Sequence, residues 1–263
     1  KIVDAAFGSI LDSIYARGLE NRFNIVVTAY HGFVTHSGKE GLTDFLIRKG
    51  FKKDKDSDDI IVAGGAVYVK DRNRETVRNV VAALQKESWA GAVYTKAKKQ
   101  GSLKGEIKGT LSFNAVHWNH SYRAADVLVS VAWDDRKNEQ GFAGTDFATG
   151  VAGHGGSSPY EIHIALMAYG PSFKNAAVTN LPTSNIDIVP TVLAINGLKA
   201  PETMQGRIIN EILRNQNSRP EKPKKKTISV STGLKPGKYT VTMECTTLGD
   251  YRYIDAVGVR RTY

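Results

Sequence analysis

Two histidines sit in glycine-flanked breaks that each follow an apolar run: His31 in Val-Val-Thr-Ala-Tyr-His-Gly, and His154 in Val-Ala-Gly-His-Gly-Gly. Neutral imidazole is the commonest metal-ligating side chain, and flanking glycines let an ion and a phosphate approach the backbone. Metal binding is therefore the chemistry this pair could serve. Other polar residues read more simply. His117 and His120 flank Trp118 in what reads as a solvated loop, and Asp134-Asp135 runs directly into Arg136 and Lys137, as a surface turn would. His154-Gly155-Gly156 has the look of an esterase oxyanion loop, but no Gly-x-Ser-x-Gly elbow accompanies it to supply a nucleophile. Asp187, three residues ahead of Pro190, is placed to cap a helix.

The elements that must position these residues follow from periodicity. Residues 2–17 carry apolar side chains at helical spacing, closed by Gly18, and predict a helix with one buried face. The Ile-Val-Val run in residues 24–28 predicts a strand buried on both faces, ending at Tyr30-His31-Gly32. Ligands of open α/β folds bind at such strand ends, on the carboxyl edge of the sheet. Residues 58–69 read as strand with a turn or bulge at Gly64-Gly65, 73–86 as a helix, 125–133 as a buried strand, 141–158 as a glycine-rich loop and 186–195 as a short helix. Beyond residue 227, β-branched and aromatic runs separated by Pro236-Gly237 and Gly249-Asp250 predict a small antiparallel β unit. The fold class is thus α/β, with a mostly parallel, doubly wound sheet and this C-terminal β unit. Its expected domains are an α/β domain over 1–214, a Pro/Lys linker over 215–226 and the β unit over 227–263.

Composition narrows the function classes. A chain of 263 residues, 41% hydrophobic and 24% charged, has the make-up of a globular protein. Its longest apolar runs, 60–69 and 125–133, fall short of the ~20 residues a membrane-spanning helix needs. Cys245 is the single cysteine, which excludes an internal disulfide framework and a cysteine-based zinc site. The net charge of +10 is concentrated: eight basic residues between 214 and 238 face Glu221 alone. No aromatic residue interleaves with them, so a solvated connection is the reading and specific nucleic-acid recognition is not indicated. No signal peptide heads the chain, and its start at Lys1 leads us to expect a preceding segment.

The ordered set Ala29-Tyr30-His31-Gly32-Phe33, Gly153-His154-Gly155, Ala168-Tyr169-Gly170-Pro171, Ser184-Asn185-Ile186-Asp187-Ile188-Val189-Pro190-Thr191 and Met204-Gln205-Gly206-Arg207 resembles the signature of type I phosphodiesterases and nucleotide pyrophosphatases of the alkaline phosphatase superfamily, in their C-terminal half. The resemblance implies an alkaline-phosphatase-like sheet, two divalent metal ions (zinc), a phosphate-ester substrate, and a secreted or periplasmic location. It assigns His31 to one metal and His154 to the other. Two ions at one site would polarise the nucleophile and neutralise the phosphate oxygens.

This sequence departs from that pattern at Tyr30, where the family's Asp-His-Gly motif has a carboxylate. A phenol is a much poorer partner for a hard dication. The family's nucleophile and remaining ligands lie upstream of this motif, so no catalytic residue is assigned here. The expectation is an incomplete metal site, completed by an N-terminal half or a partner chain. The alternative is a pseudoenzyme acting as a binding or structural module.

Overall fold

The computed structural model describes residues 1–216 and 221–263. In chain order the elements are α1 (Ile2–Ala16), β1 (Ile25–Thr28), β2 (Val34–His36), α2 (Leu42–Arg48), β3 (Ile60–Ala63), β4 (Ala66–Val69), α3 (Arg74–Leu84), β5 (Ala90–Thr95), β6 (Leu111–Ser112) and β7 (Val127–Val131). They continue with β8 (Trp133–Lys137), β9 (Ala143–Asp146), β10 (Ala152–Gly153), α4 (Pro159–Ile162), β11 (Leu166–Tyr169), α5 (Ile188–Ile195), β12 (Lys224–Gly233), β13 (Lys238–Leu248) and β14 (Tyr251–Thr262). Two compact units form. One holds Lys1–Tyr30, Ile164–Lys224 and Thr246–Tyr253; the other holds His31–His163, Lys225–Cys245 and Ile254–Tyr263. Four residues of the expected linker, 217–220, lie outside the described residues.

The second unit is built on a five-stranded sheet in the order β3-β4-β7-β5-β6. In α3, Val77, Val80, Val81 and Leu84 recur at the helical period and are all buried, and Asn73 starts the helix by accepting the Thr76 N–H. These side chains, with Phe45 and Leu46 of α2, pack on Ile60, Val67, Val93, Val127 and Val129. The opposite face, with Ala92, Tyr94 and Leu111, packs on Ile228, Val230, Tyr239, Val241 and Met243. Strand β5 serves both cores, and its register shifts between Ala90 and Val93, so that Ala90 and Val93 face one core and Ala92 and Tyr94 the other.

Strands β12-β13-β14 form the expected C-terminal sheet. Its first two strands run antiparallel: Cys245 Sγ reaches the Lys226 carbonyl, Ser229 faces Thr242, and Thr247 Oγ1 donates to the Lys224 carbonyl. Strand β12 begins within the stretch expected to be linker.

The mostly parallel sheet is not what the strand pairs form. Among the pairings described, β2–β9 and β5–β6 are parallel, whereas β1–β11, β10–β2, β3–β4, β4–β7, β5–β7 and β8–β9 are antiparallel. Connection length explains the β3–β4 pair. Gly64-Gly65 joins β3 to β4 as a two-residue turn, with Gly64 at φ +59°, and so short a connection imposes an antiparallel pair. The fold is a mixed α/β architecture of several sheets.

The first unit is thinner. Among the described residues strand β1 pairs only with β11, and it is half-buried rather than covered on both faces. No residue of α1 is fully buried, and its apolar stripe of Phe7, Leu11 and Ile14 is half-covered.

Candidate functional site

The two predicted histidines meet. Strand β10 pairs antiparallel with β2, setting Gly153 opposite Val34 and Ala152 opposite Thr35. That register places the residues leading into β2 beside those leaving β10. The imidazoles of His31 and His154 stack with centroids 3.5 Å apart and planes inclined by 19°. Phe33 closes the cluster edge-on, 5.0 Å from His31 and 5.4 Å from His154. Because the pairing is antiparallel and His31 precedes β2, the histidines do not occupy the carboxyl edge of a parallel sheet.

Backbone contacts fix both loops. The Gly32 N–H donates to the Glu161 carbonyl at 2.8 Å, and a Cβ on Gly32 would lie 2.0 Å from the Tyr160 carbonyl oxygen, so only glycine permits this approach. The Glu161 carboxylate is 4% exposed, and it accepts the Gly156 N–H at 2.7 Å and the Ser158 hydroxyl at 2.6 Å. Short helix α4 therefore ties the loop of His31 to the loop of His154.

An imidazole–carboxylate pair lies beside them. His36 and Asp146 are direct partners in the parallel β2–β9 ladder, and His36 Nδ1 is 2.6 Å from Asp146 Oδ1. Their side chains are 12% and 6% exposed. Sequence reading passes over both residues. They lie 110 positions apart, and only the strand pairing brings them together.

The remaining candidates resolve as structural groups. His120 sits in an exposed loop, its Nδ1 facing the Tyr122 and Arg123 N–H groups at 3.3 Å, and His117 is likewise exposed. Asp134 pairs with Arg136 at 2.8 Å, while Asp135 accepts the Tyr160 hydroxyl. Asp187 does more than cap a helix. It is fully buried, its Oδ2 accepts the Ser184 N–H and the Tyr253 hydroxyl, and its Oδ1 accepts the Arg207 N–H. Arg207 in turn donates to Tyr253, to both oxygens of Glu211 and to the Pro182 carbonyl. This is a saturated polar hub within the first unit.

A metal needs more than two imidazoles. Catalytic zinc normally has three protein ligands, and no group of three His, Cys, Asp or Glu suited to an ion is gathered among the described residues. A ring-nitrogen lone pair lies in the plane of its ring, so two nearly parallel rings 3.5 Å apart aim theirs side by side and not at one ion. His31 Nδ1 also lies 2.7 Å from the Gly32 carbonyl, which makes it an N–H and leaves Nε2 to carry the lone pair. The donors described do not by themselves fit a two-metal centre. Tyr30, at the motif's carboxylate position, is 79% exposed.

A model of the type I phosphodiesterase / nucleotide pyrophosphatase family matches residues 1–137. The chain belongs to this family of phosphoric-ester hydrolases, within the alkaline phosphatase superfamily. The match takes in His31 and His36 and ends ahead of Asp146 and His154. No match was found among curated proteins or among solved structures. No described helix is long and apolar enough to cross a membrane.

Proposed function

We propose that the protein is a metal-dependent phosphoric-ester hydrolase of phosphodiesterase or nucleotide pyrophosphatase type, in which His31 and His154 are imidazole donors to two divalent ions, zinc by family likeness. The observation that carries this reading is the meeting of these two histidines, from loops more than a hundred residues apart, in one stacked pair. The site as described is a partial donor set, and further donors and a nucleophile are required for turnover. The substrate is a phosphodiester, a nucleotide or a phosphomonoester. A secreted or periplasmic location belongs to the same proposal.

Zinc titration of the purified chain, followed by assay with bis(p-nitrophenyl) phosphate, tests it. The expected result is weak zinc binding that His31→Ala and His154→Ala each abolish, with no hydrolysis by this chain alone. Zinc binding untouched by both substitutions would reject the assignment, and zinc-dependent hydrolysis that survives His154→Ala would show that other residues form the site.

The pseudoenzyme reading is favoured by one specific residue, Tyr30. In that reading the fold persists as a binding module and a carboxylate at position 30 gives no gain. Tyr30→Asp separates the two: as a step back toward a working site it tightens zinc binding without restoring turnover, whereas in the pseudoenzyme zinc binding does not change.

A further inference from the structure

The buried His36–Asp146 pair is absorbed by neither reading above. Its surroundings are specific. Around the ring, the His36 N–H donates to the Val151 carbonyl at 2.9 Å, the Gly38 N–H donates to the Ala148 carbonyl at 2.8 Å, and Asp146 Oδ1 accepts the Ala148 N–H at 2.9 Å. The segment 147–153 is thereby wrapped about the imidazole. Two glycines let it do so. Gly150 has φ +115°, and a Cβ there would touch His36 Cδ2 at 3.5 Å; a Cβ on Gly153 would fall 2.3 Å from His36 Nε2 and 2.9 Å from Cε1. The imidazole occupies the volume a side chain at 153 would need, and the next residue is His154.

We propose that His36, held by Asp146, is a positioning residue for His154. The carboxylate fixes the ring by accepting from Nδ1, the ring fixes the path of Gly153 by contact, and that path presents the His154 imidazole to His31. An imidazole that donates one ring N–H to a carboxylate is orientationally locked, as are the supporting imidazoles of many sites. The inference rests on the reading that His154 is a working residue of the site, but its geometry can be tested without any activity.

The experiment is proton NMR of the histidine ring protons in the full chain, assigned with His31→Ala and His154→Ala. Stacking displaces the His154 ring resonances upfield, and His31→Ala removes the displacement. His36→Ala is expected to remove most of it as well, while the methyl resonances of the core of the second unit stay in place. Retained displacement in a folded His36→Ala variant overturns the proposal.

Should His36→Ala not fold, substitutions at Asp146 and Gly153 carry the test. Asp146→Asn keeps an acceptor for Nδ1 and is expected to retain the displacement, whereas Asp146→Ala is expected to lose it. Gly153→Ala is expected to lower Tm by several degrees in the native background and by less than half as much in a folded His36→Ser background. An equal loss in both backgrounds would show that the imidazole is not what Gly153 accommodates, and would also overturn the proposal. A chain that shows His36-dependent stacking yet neither binds zinc nor hydrolyses a phosphodiester fails only the functional reading.

Discussion

The two units hold themselves together by different means. The second buries two aliphatic and aromatic clusters on opposite faces of one sheet, with Phe45, Leu46, Val80, Val81 and Val93 fully excluded from water. The first has a two-stranded sheet, a helix with no fully buried residue, and a groove of about 280 Å³ beside Phe7, Leu11 and Met167. Its most completely buried residue is polar, Asp187, which with the buried Arg207 forms one network beside a small apolar group that includes Ile209 and Phe173. Apolar burial is non-directional and tolerates substitution, whereas a buried charge network holds only while every partner is present. Damage to one hub residue should therefore cost the first unit more than a single cavity costs the second.

Arg207→Met is the most direct attempt to break that contrast. It leaves the Glu211 carboxylate, 9% exposed, without its bidentate partner, and the Tyr253 hydroxyl without its Arg207 donor. Removing one member of a buried ion pair costs about 3–5 kcal/mol. Hydrogen exchange should show the loss concentrated in amides of the first unit. A uniform loss across both units would mean that they unfold as one.

Leu46→Ala makes the reciprocal test. The side chain is fully buried against α3 and the sheet, and truncations of this kind cost about 2–5 kcal/mol, toward the lower end where the site collapses. Denaturant unfolding with a core-localised probe should report it, with exchange in the first unit unaffected.

Acid sharpens the comparison further. Burial works against the ionised Glu211 carboxylate, but hydrogen bonds and charge from Arg207 more than offset it, and the pKa is lowered. A carboxyl whose folded pKa is depressed contributes stability that is complete above its unfolded pKa, about 4.3, and is lost as pH falls through the folded value. The carboxylates Glu40 and Asp58 of the second unit are also lowered, by Arg48 and Lys70, but Asp58 is exposed and Glu40 pairs with a half-exposed arginine, and such solvent-reached pairs contribute little. Protection of the first unit should therefore fall first on acidification below pH ~4.3, and Arg207→Met should remove that dependence. Equal acid sensitivity in both units would refute it.

How much of this was legible in the sequence depends on range. The helix at Val77, Val80, Val81 and Leu84, the turn or bulge at Gly64-Gly65 and the strands beyond residue 227 are local patterns, and the structure forms all three, the second as a turn that divides the expected strand into β3 and β4. His31 and His154 were visible because glycines mark their loops, and the structure brings their rings together. Strand direction was not legible: the same β-branched runs suit either orientation, and most of the pairs join strands far apart in the chain. His36 and Asp146 were invisible because neither has a local signal. Their meaning arises from a ladder pairing across 110 residues. Asp187 was read for its nearest helix, whereas its partners Arg207 and Tyr253 lie 20 and 66 positions away.

The smallest expected effect probes the robust side of the comparison at its most local point. Asn73 accepts the Thr76 N–H at 2.9 Å, satisfying one of the four backbone donors that the first turn of α3 leaves without an intrahelical partner. Asn73→Ala removes that acceptor and leaves the N–H to water, since this end of the helix is exposed; the usual cost is about 1 kcal/mol. The buried stripe of Val77, Val80, Val81 and Leu84 starts one residue beyond Thr76 and keeps the helix docked without the cap. Urea denaturation should therefore show a small shift in midpoint with an unchanged slope. Asn73→Ser, which restores a side-chain acceptor, should return most of it. A loss as large as that of Leu46→Ala would mean that α3 is held by its end rather than by its apolar face, and that the second unit is less robust than its two cores imply.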